Sequence, residues 1–121
     1  MDTLIKILDE TTALTKDVDL FAYEIPLATN GLWCADAQIS SRFNGVNKQE
    51  FDIYYRGKTK SSAIANTQYF KGTIDGLNGS TGICELSDST KFKIEILYNW
   101  EYLERDSEGY YVFANRLRLV L

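Results

Sequence analysis

The chain has 121 residues with one proline and no histidine, and 17 acidic against 13 basic side chains leave a net charge of −4. That length suits one soluble domain, residues 1–121, with a core of its own. The missing imidazole removes Ser-His-Asp and Cys-His nucleophiles, the imidazole general base and His-containing zinc sites. The acidic balance argues against a dedicated duplex-binding surface, because phosphate neutralisation dominates such affinity.

The amino terminus, Met1-Asp2-Thr3-Leu4-Ile5-Lys6, carries no basic segment ahead of a long apolar run. No stretch reaches the ~20 apolar residues of a membrane span, so neither a standard secretion signal nor a membrane partner is expected. Leu4, Ile7, Leu8, Thr11 and Leu14 recur at helical spacing and predict a helix over residues 3–15 with one face to bury. Phe21, Tyr23 and Ile25 alternate before Pro26, which reads as a short strand, and a loop from Ala28 to Asp36 follows, with Asn30-Gly31 as a turn signal. Ala37 to Val46 alternates weakly through Ile39, Ser41 and Phe43 to a turn at Asn44-Gly45. Phe51, Ile53 and Tyr55 then alternate with Asp52, Tyr54 and Arg56, so two antiparallel strands are the economical reading.

After Gly57 the period lengthens: Ala63, Thr67, Phe70, Ile74 and Leu77 share one face of a helix ending at Leu77, with Thr59 or Ser61 as its cap. Residues 78–82 form a loop. Phe92, Ile94, Ile96, Tyr98, Trp100 and Tyr102 then predict one long strand, and Asp106-Ser107-Glu108-Gly109 turns it into a last strand over residues 110–121. The expected class is α+β: an antiparallel or mixed sheet with an N-terminal helix and a central helix packed on one face.

Two segments imitate known sites. Gly57-Lys58-Thr59 matches the tail of a phosphate-binding loop, but Asp52 stands where that loop needs glycine, and residues 51–56 read as a strand. Glu104, Asp106, Glu108 and Gly109 imitate a calcium loop, but Asn115 stands at its closing glutamate position and the flanks are strands. A strand-to-helix junction and a charged hairpin turn explain them better. Cys34 and Cys84, fifty positions apart, have neither redox nor zinc-ribbon spacing and read as reduced thiols of an intracellular protein. No catalytic, metal or cofactor constellation stands out.

What does stand out is charge distribution and aromatic content. Residues 1–36 carry a net −5 and residues 37–60 a net +3, through Arg42, Lys48, Arg56, Lys58 and Lys60, an arrangement that favours attraction between subunits. Sixteen aromatic residues include a concentration in the closing hairpin, part of which alternation places on the face away from the helices. Such a face calls for a partner, with Trp, Tyr and Arg as common anchors. The candidate contacts are therefore Trp33 in its loop, the basic residues Arg42, Arg56 and Lys58, and Trp100, Tyr102 and Arg105 of the hairpin.

The order of these elements, with Phe51-Asp52-Ile53-Tyr54-Tyr55-Arg56-Gly57-Lys58 leading into the central helix and Tyr102-Leu103-Glu104-Arg105-Asp106-Ser107-Glu108-Gly109-Tyr110-Tyr111-Val112-Phe113 closing the chain, resembles the tail terminator or minor capsid proteins of long-tailed bacteriophages. The sequence departs from that family's wording at Glu104, where glycine is common, and at Tyr110, where a basic residue is common. The resemblance implies a structural subunit of the virion neck, assembled in the host cytoplasm. It implies a homohexameric ring that caps the head-proximal end of the tail tube and meets a head-closure protein, DNA passing through its bore unread. No cofactor or reaction is implied. Two other readings stay open: another neck component, such as a head-closure or adaptor protein, and a small enzyme or ligand carrier with a pocket between sheet and helices.

Overall fold

Leu4, Ile5, Ile7 and Leu8 are buried along one side of α1 (Asp2–Thr11), the first element of the computed structural model, which describes residues 1–43, 46–77 and 82–121, with 38–43 and 46 as backbone. Burying one such side chain contributes roughly 1.5–3 kcal/mol, so this stripe is what holds a short helix to the sheet. The helix stops four residues before the expected end. Thr12 turns extended, and N–H groups that would have continued the helix go to side chains instead, Leu14 donating to Thr12 Oγ1 at 3.2 Å and Lys16 to Asp9 Oδ1 at 2.9 Å.

Seven strands follow in one mixed sheet: β1 (Leu20–Ala22), β2 (Gly31–Phe43), β3 (Val46–Gly57), β4 (Cys84–Glu85), β5 (Lys91–Ile96), β6 (Glu101–Arg105) and β7 (Tyr111–Val120), with α2 (Lys60–Leu77) between β3 and β4. The spatial order is β1-β2-β3-β7-β5-β4, and β6 also pairs with β7. Only β1 with β2 is parallel; the other pairings are antiparallel. The expected turn at Asn44-Gly45 and nearly all of the expected loop over 78–82 lie outside the described residues, as does the side-chain alternation through Ile39, Ser41 and Phe43.

Three expectations need correction. The segment from Gly31 is strand, not loop: a Cβ on Gly31 would sit 2.7 Å from the Asp19 carbonyl oxygen, and the close approach this glycine allows lets Leu32 N–H donate to that oxygen at 2.9 Å and start β2 at once. The long strand expected over 92–102 is broken into β5 and β6, which run in tandem along the same edge of β7. Between them Leu97–Trp100 face only Asn115 and Arg116, and the buried Asn115 amide donates to the Tyr98 carbonyl at 2.9 Å, satisfying backbone that the ladder drops. The third correction is the short strand β4, which periodicity did not disclose.

Both helices cover one face. Leu32 and Cys34 of β2, Phe51, Ile53 and Tyr55 of β3, Leu117 and Leu119 of β7 and Phe92 and Ile94 of β5 form a single core with α1 and with Ala63, Phe70 and Ile74 of α2. Thr59 caps α2, its hydroxyl accepting the Ser62 N–H at 3.2 Å. Gly57 closes β3 beneath that helix: a Cβ there would meet the Ala63 Cβ at 2.8 Å. The glycine of the apparent phosphate-loop tail is thus a packing residue. No helix among the described residues is long and apolar enough to cross a membrane. Gly57→Ala should destabilise the protein by about 1–3 kcal/mol through overpacking, read as a lowered urea midpoint at unchanged slope.

Candidate functional site

Among the described residues the sheet's second face carries no helix, and the residues on it are those that alternate with the core set. Trp33 of β2 and Tyr54 of β3 are cross-strand partners there, their rings stacked at 5.1 Å with an interplanar angle of 22°. With Tyr23, Ile25, Leu103 and Val112 they wall a groove of about 470 Å³. Further along the same face, the aromatic surface gives way to charge. Arg116 donates to Asp52 at 3.1 Å and lies near Glu50, while Arg118 reaches Glu95 at 2.9 Å and Glu50 at 3.7 Å. This ladder neutralises most of its own charge, leaving the aromatic half as the apolar part of the face.

One end of the groove is fixed by Arg56. The residue is 6% exposed, and its guanidinium donates to the Thr29 carbonyl at 2.9 Å, to the Pro26 carbonyl and to Asp106 Oδ2 at 3.4 Å. Its charge also lies 5.6 Å from the centre of the Tyr110 ring, whose hydroxyl donates to the Ala28 carbonyl. Asp106 is equally committed: its other oxygen accepts the N–H groups of Glu108 and Tyr110 at 3.0 and 2.9 Å and shapes the turn between β6 and β7. The apparent calcium-loop residues are therefore a hairpin turn locked to an arginine. Among the described residues no three His, Cys, Asp or Glu side chains gather as a metal site.

The residues expected to form a contact surface scatter. Trp33 lies half-buried on the uncovered face, in a strand instead of a loop. Arg56 is spent inside the chain, so reversing its charge reports on folding and not on assembly. Lys58 is exposed at the β3–α2 junction, its backbone N–H donating to Asn30 Oδ1 at 2.9 Å. The Arg42 side chain lies outside the described residues. Trp100 and Tyr102 fall on the helix side: Trp100 meets Phe70 edge-on at 6.2 Å, and Tyr102 meets Phe113 at 5.6 Å with the Lys60 ammonium 5.3 Å from its ring centre. Alternation from Phe92 and Ile94 already assigns Trp100 and Tyr102 to the side of the core that α2 covers. Arg105 packs on Tyr111 and donates to the Gly109 carbonyl at 3.0 Å. Tyr54, Tyr23 and Leu103 were missed, although the alternation of Asp52, Tyr54 and Arg56 against the core set already marked the second face.

A recess of about 170 Å³ between α2 and the sheet, where Asn66 donates to the Tyr55 hydroxyl at 2.7 Å, is smaller than the roughly 300–1,000 Å³ of a usual ligand site. Both cysteines are free, and burial pushes the Cys34 thiol from 9.0 up to about 12. No protein-family model and no curated protein matches this sequence.

Arg56→Leu should cost roughly 2–4 kcal/mol by leaving Asp106 and two carbonyls without their partner, and should open the segment 23–30 to proteolysis well before the core. Cys34 should resist alkylation at pH 8 until the chain unfolds, since only the thiolate reacts. Its contribution to stability should be present in full below pH 9 and lost as pH rises toward about 12, because the unfolded thiol ionises first.

Proposed function

We propose that this chain is a structural subunit of a bacteriophage neck: a tail terminator whose copies form a hexameric ring on the head-proximal end of the tail tube. The ring stops tube growth and offers its other side to a head-closure protein, while DNA passes through the bore without sequence readout. In this reading the chain is not an enzyme and needs no cofactor, and it resides in the virion after assembly in the host cytoplasm.

The observation that carries this reading is the concave, aromatic-lined face left bare of helices beside a strand, β6, whose residues are all exposed. A face of that kind belongs to a protein that completes itself by assembly. The order helix, paired strands, helix and closing hairpin supports it too, since that is the order on which the resemblance to tail terminators rests. The acidic charge suits a bore through which phosphates must slide, because a cationic lining would hold them.

The test is to mix the purified chain with tail tubes lacking their terminator, measure mass by light scattering and image the mixture by negative stain. Uniform rings, or a cap on one tube end, are expected. Tubes left bare at both ends, together with binding to the head connector, would instead assign the chain to a head-side adaptor.

A further inference from the structure

One wall of the groove on the bare face is made by a strained residue. Tyr23 takes φ +69°, a left-handed backbone that a bulky side chain rarely adopts. It is held there at both ends, its N–H donating to the Cys34 carbonyl at 2.7 Å and its hydroxyl to Asp36 Oδ2 at 3.1 Å. The ring is thereby fixed along the groove although it is 56% exposed. Strain of this kind persists where the surroundings over-determine it, and ligand clamps are among the places where it gathers. The groove's volume of about 470 Å³ falls within the roughly 300–1,000 Å³ of ligand sites, unlike the recess under α2.

The charge of the groove selects its occupant. Arg56, the cation among the lining residues, is committed to Asp106 and to two carbonyls. Glu104, on the wall opposite Tyr23, is exposed and forms no hydrogen bond or ion pair among the described residues. Its register with Val112, and that of Glu101 with Ala114, put both carboxylates on this face, and Glu101 is also exposed and unpaired among the described residues. An unanswered negative charge beside the stacked rings of Trp33 and Tyr54 favours an organic cation, because ring faces attract it and the carboxylate neutralises it. Leu103 is 53% exposed and β6 pairs only with β7, so a contact can continue along open backbone, which suits a protein chain better than a free small molecule.

We propose that the groove seats an arginine side chain presented by a partner protein, over the Trp33–Tyr54 pair between Tyr23 and Leu103, with Glu104 as its counter-charge. Arginine fits this seat better than lysine, since a planar guanidinium stacks on rings and meets a carboxylate through two donors at once. The inference gives the bare face a contact chemistry and requires neither the ring nor the neck.

The test is a titration of the isotope-labelled full chain followed by NMR, in which the indole N–H signals of Trp33 and Trp100 report on opposite sides of the sheet. The probe is the peptide acetyl-Gly-Arg-Leu-Arg-Gly-amide, with the same peptide carrying citrulline for arginine as its neutral counterpart. The arginine peptide should shift the Trp33 indole saturably and leave Trp100 in place, with affinity falling as salt rises, and the citrulline peptide should shift neither. Glu104→Gln should weaken binding about fivefold, and Trp33→Leu, read on the Tyr54 amide, about twofold to fivefold. Glu85→Gln, which removes an exposed carboxylate on β4, should leave affinity unchanged, and urea denaturation checks that each variant is folded. No saturable shift up to about 10 mM peptide, or an equal shift with citrulline, would overturn the proposal. Equal weakening by Glu104→Gln and Glu85→Gln would do the same, because net charge would then account for the binding. Self-association of the free chain that Glu104→Gln abolishes would overturn the choice of partner by putting a second copy in the groove. Each of these results leaves the tube-capping experiment to decide the neck reading by itself.

Discussion

The buried contact of Arg56 with Asp106 is the constraint on which the uncovered face depends. β1 and β2 are parallel neighbours joined by only the segment between Ala22 and Gly31, much shorter than the dozen or more residues such a crossover ordinarily takes. A connection that tight cannot bury a helix of its own and has to be held from outside. Arg56 does so by donating to two of its carbonyls while its charge is answered by the turn between β6 and β7. Three separate parts of the chain thus meet at one guanidinium: the crossover, the end of β3 and the closing hairpin. A planar group with five donors suits that task in a way an ammonium would not.

Because the crossover carries no helix, the sheet keeps one face bare. Both described helices lie on the other side, where α1 and α2 share a single core with every second residue of the central strands. The bare face divides into two halves by residue type, a charge ladder around Arg116 and Arg118 and an aromatic platform of Trp33 and Tyr54. The first satisfies itself. The second does not, and a partly exposed tryptophan in a concave wall is costly to leave in water.

The proposed neck role draws on this asymmetry. A ring subunit must offer distinct surfaces to neighbouring copies, to a tube and to a connector, and a sheet with open edges, one covered face and one bare face supplies surfaces of different chemistry from one small chain. The uneven charge of the sequence fits such a role in altered form. With Arg56 withdrawn into the interior, the exposed basic residues of the middle segment include Lys48 on β3 and Lys58 and Lys60 at the β3–α2 junction.

Local pattern determined most of the elements. The three-four spacing from Leu4, the alternation of Phe51, Ile53 and Tyr55 and the change of period after Gly57 each describe which side of an element is apolar, and burial follows from that alone. The antiparallel pairing of β2 with β3 and the position of α2 were legible for the same reason. What depended on distant partners was not. The early end of α1 goes with side-chain oxygens of Thr12 and Asp9 taking the N–H groups of Leu14 and Lys16, and the break between β5 and β6 goes with Asn115 and Arg116 opposite it. Arg56 reads in the sequence as a surface cation, because its partners Pro26, Thr29 and Asp106 lie 30, 27 and 50 positions away. The candidate site has the same history: alternation puts Tyr54 and Trp33 on the second faces of their own strands, but only the tertiary structure decided that those faces are one surface and that no helix covers it. Side-chain periodicity is a property of neighbours in the chain, whereas the choice of which faces are covered depends on how far the connections between strands can reach.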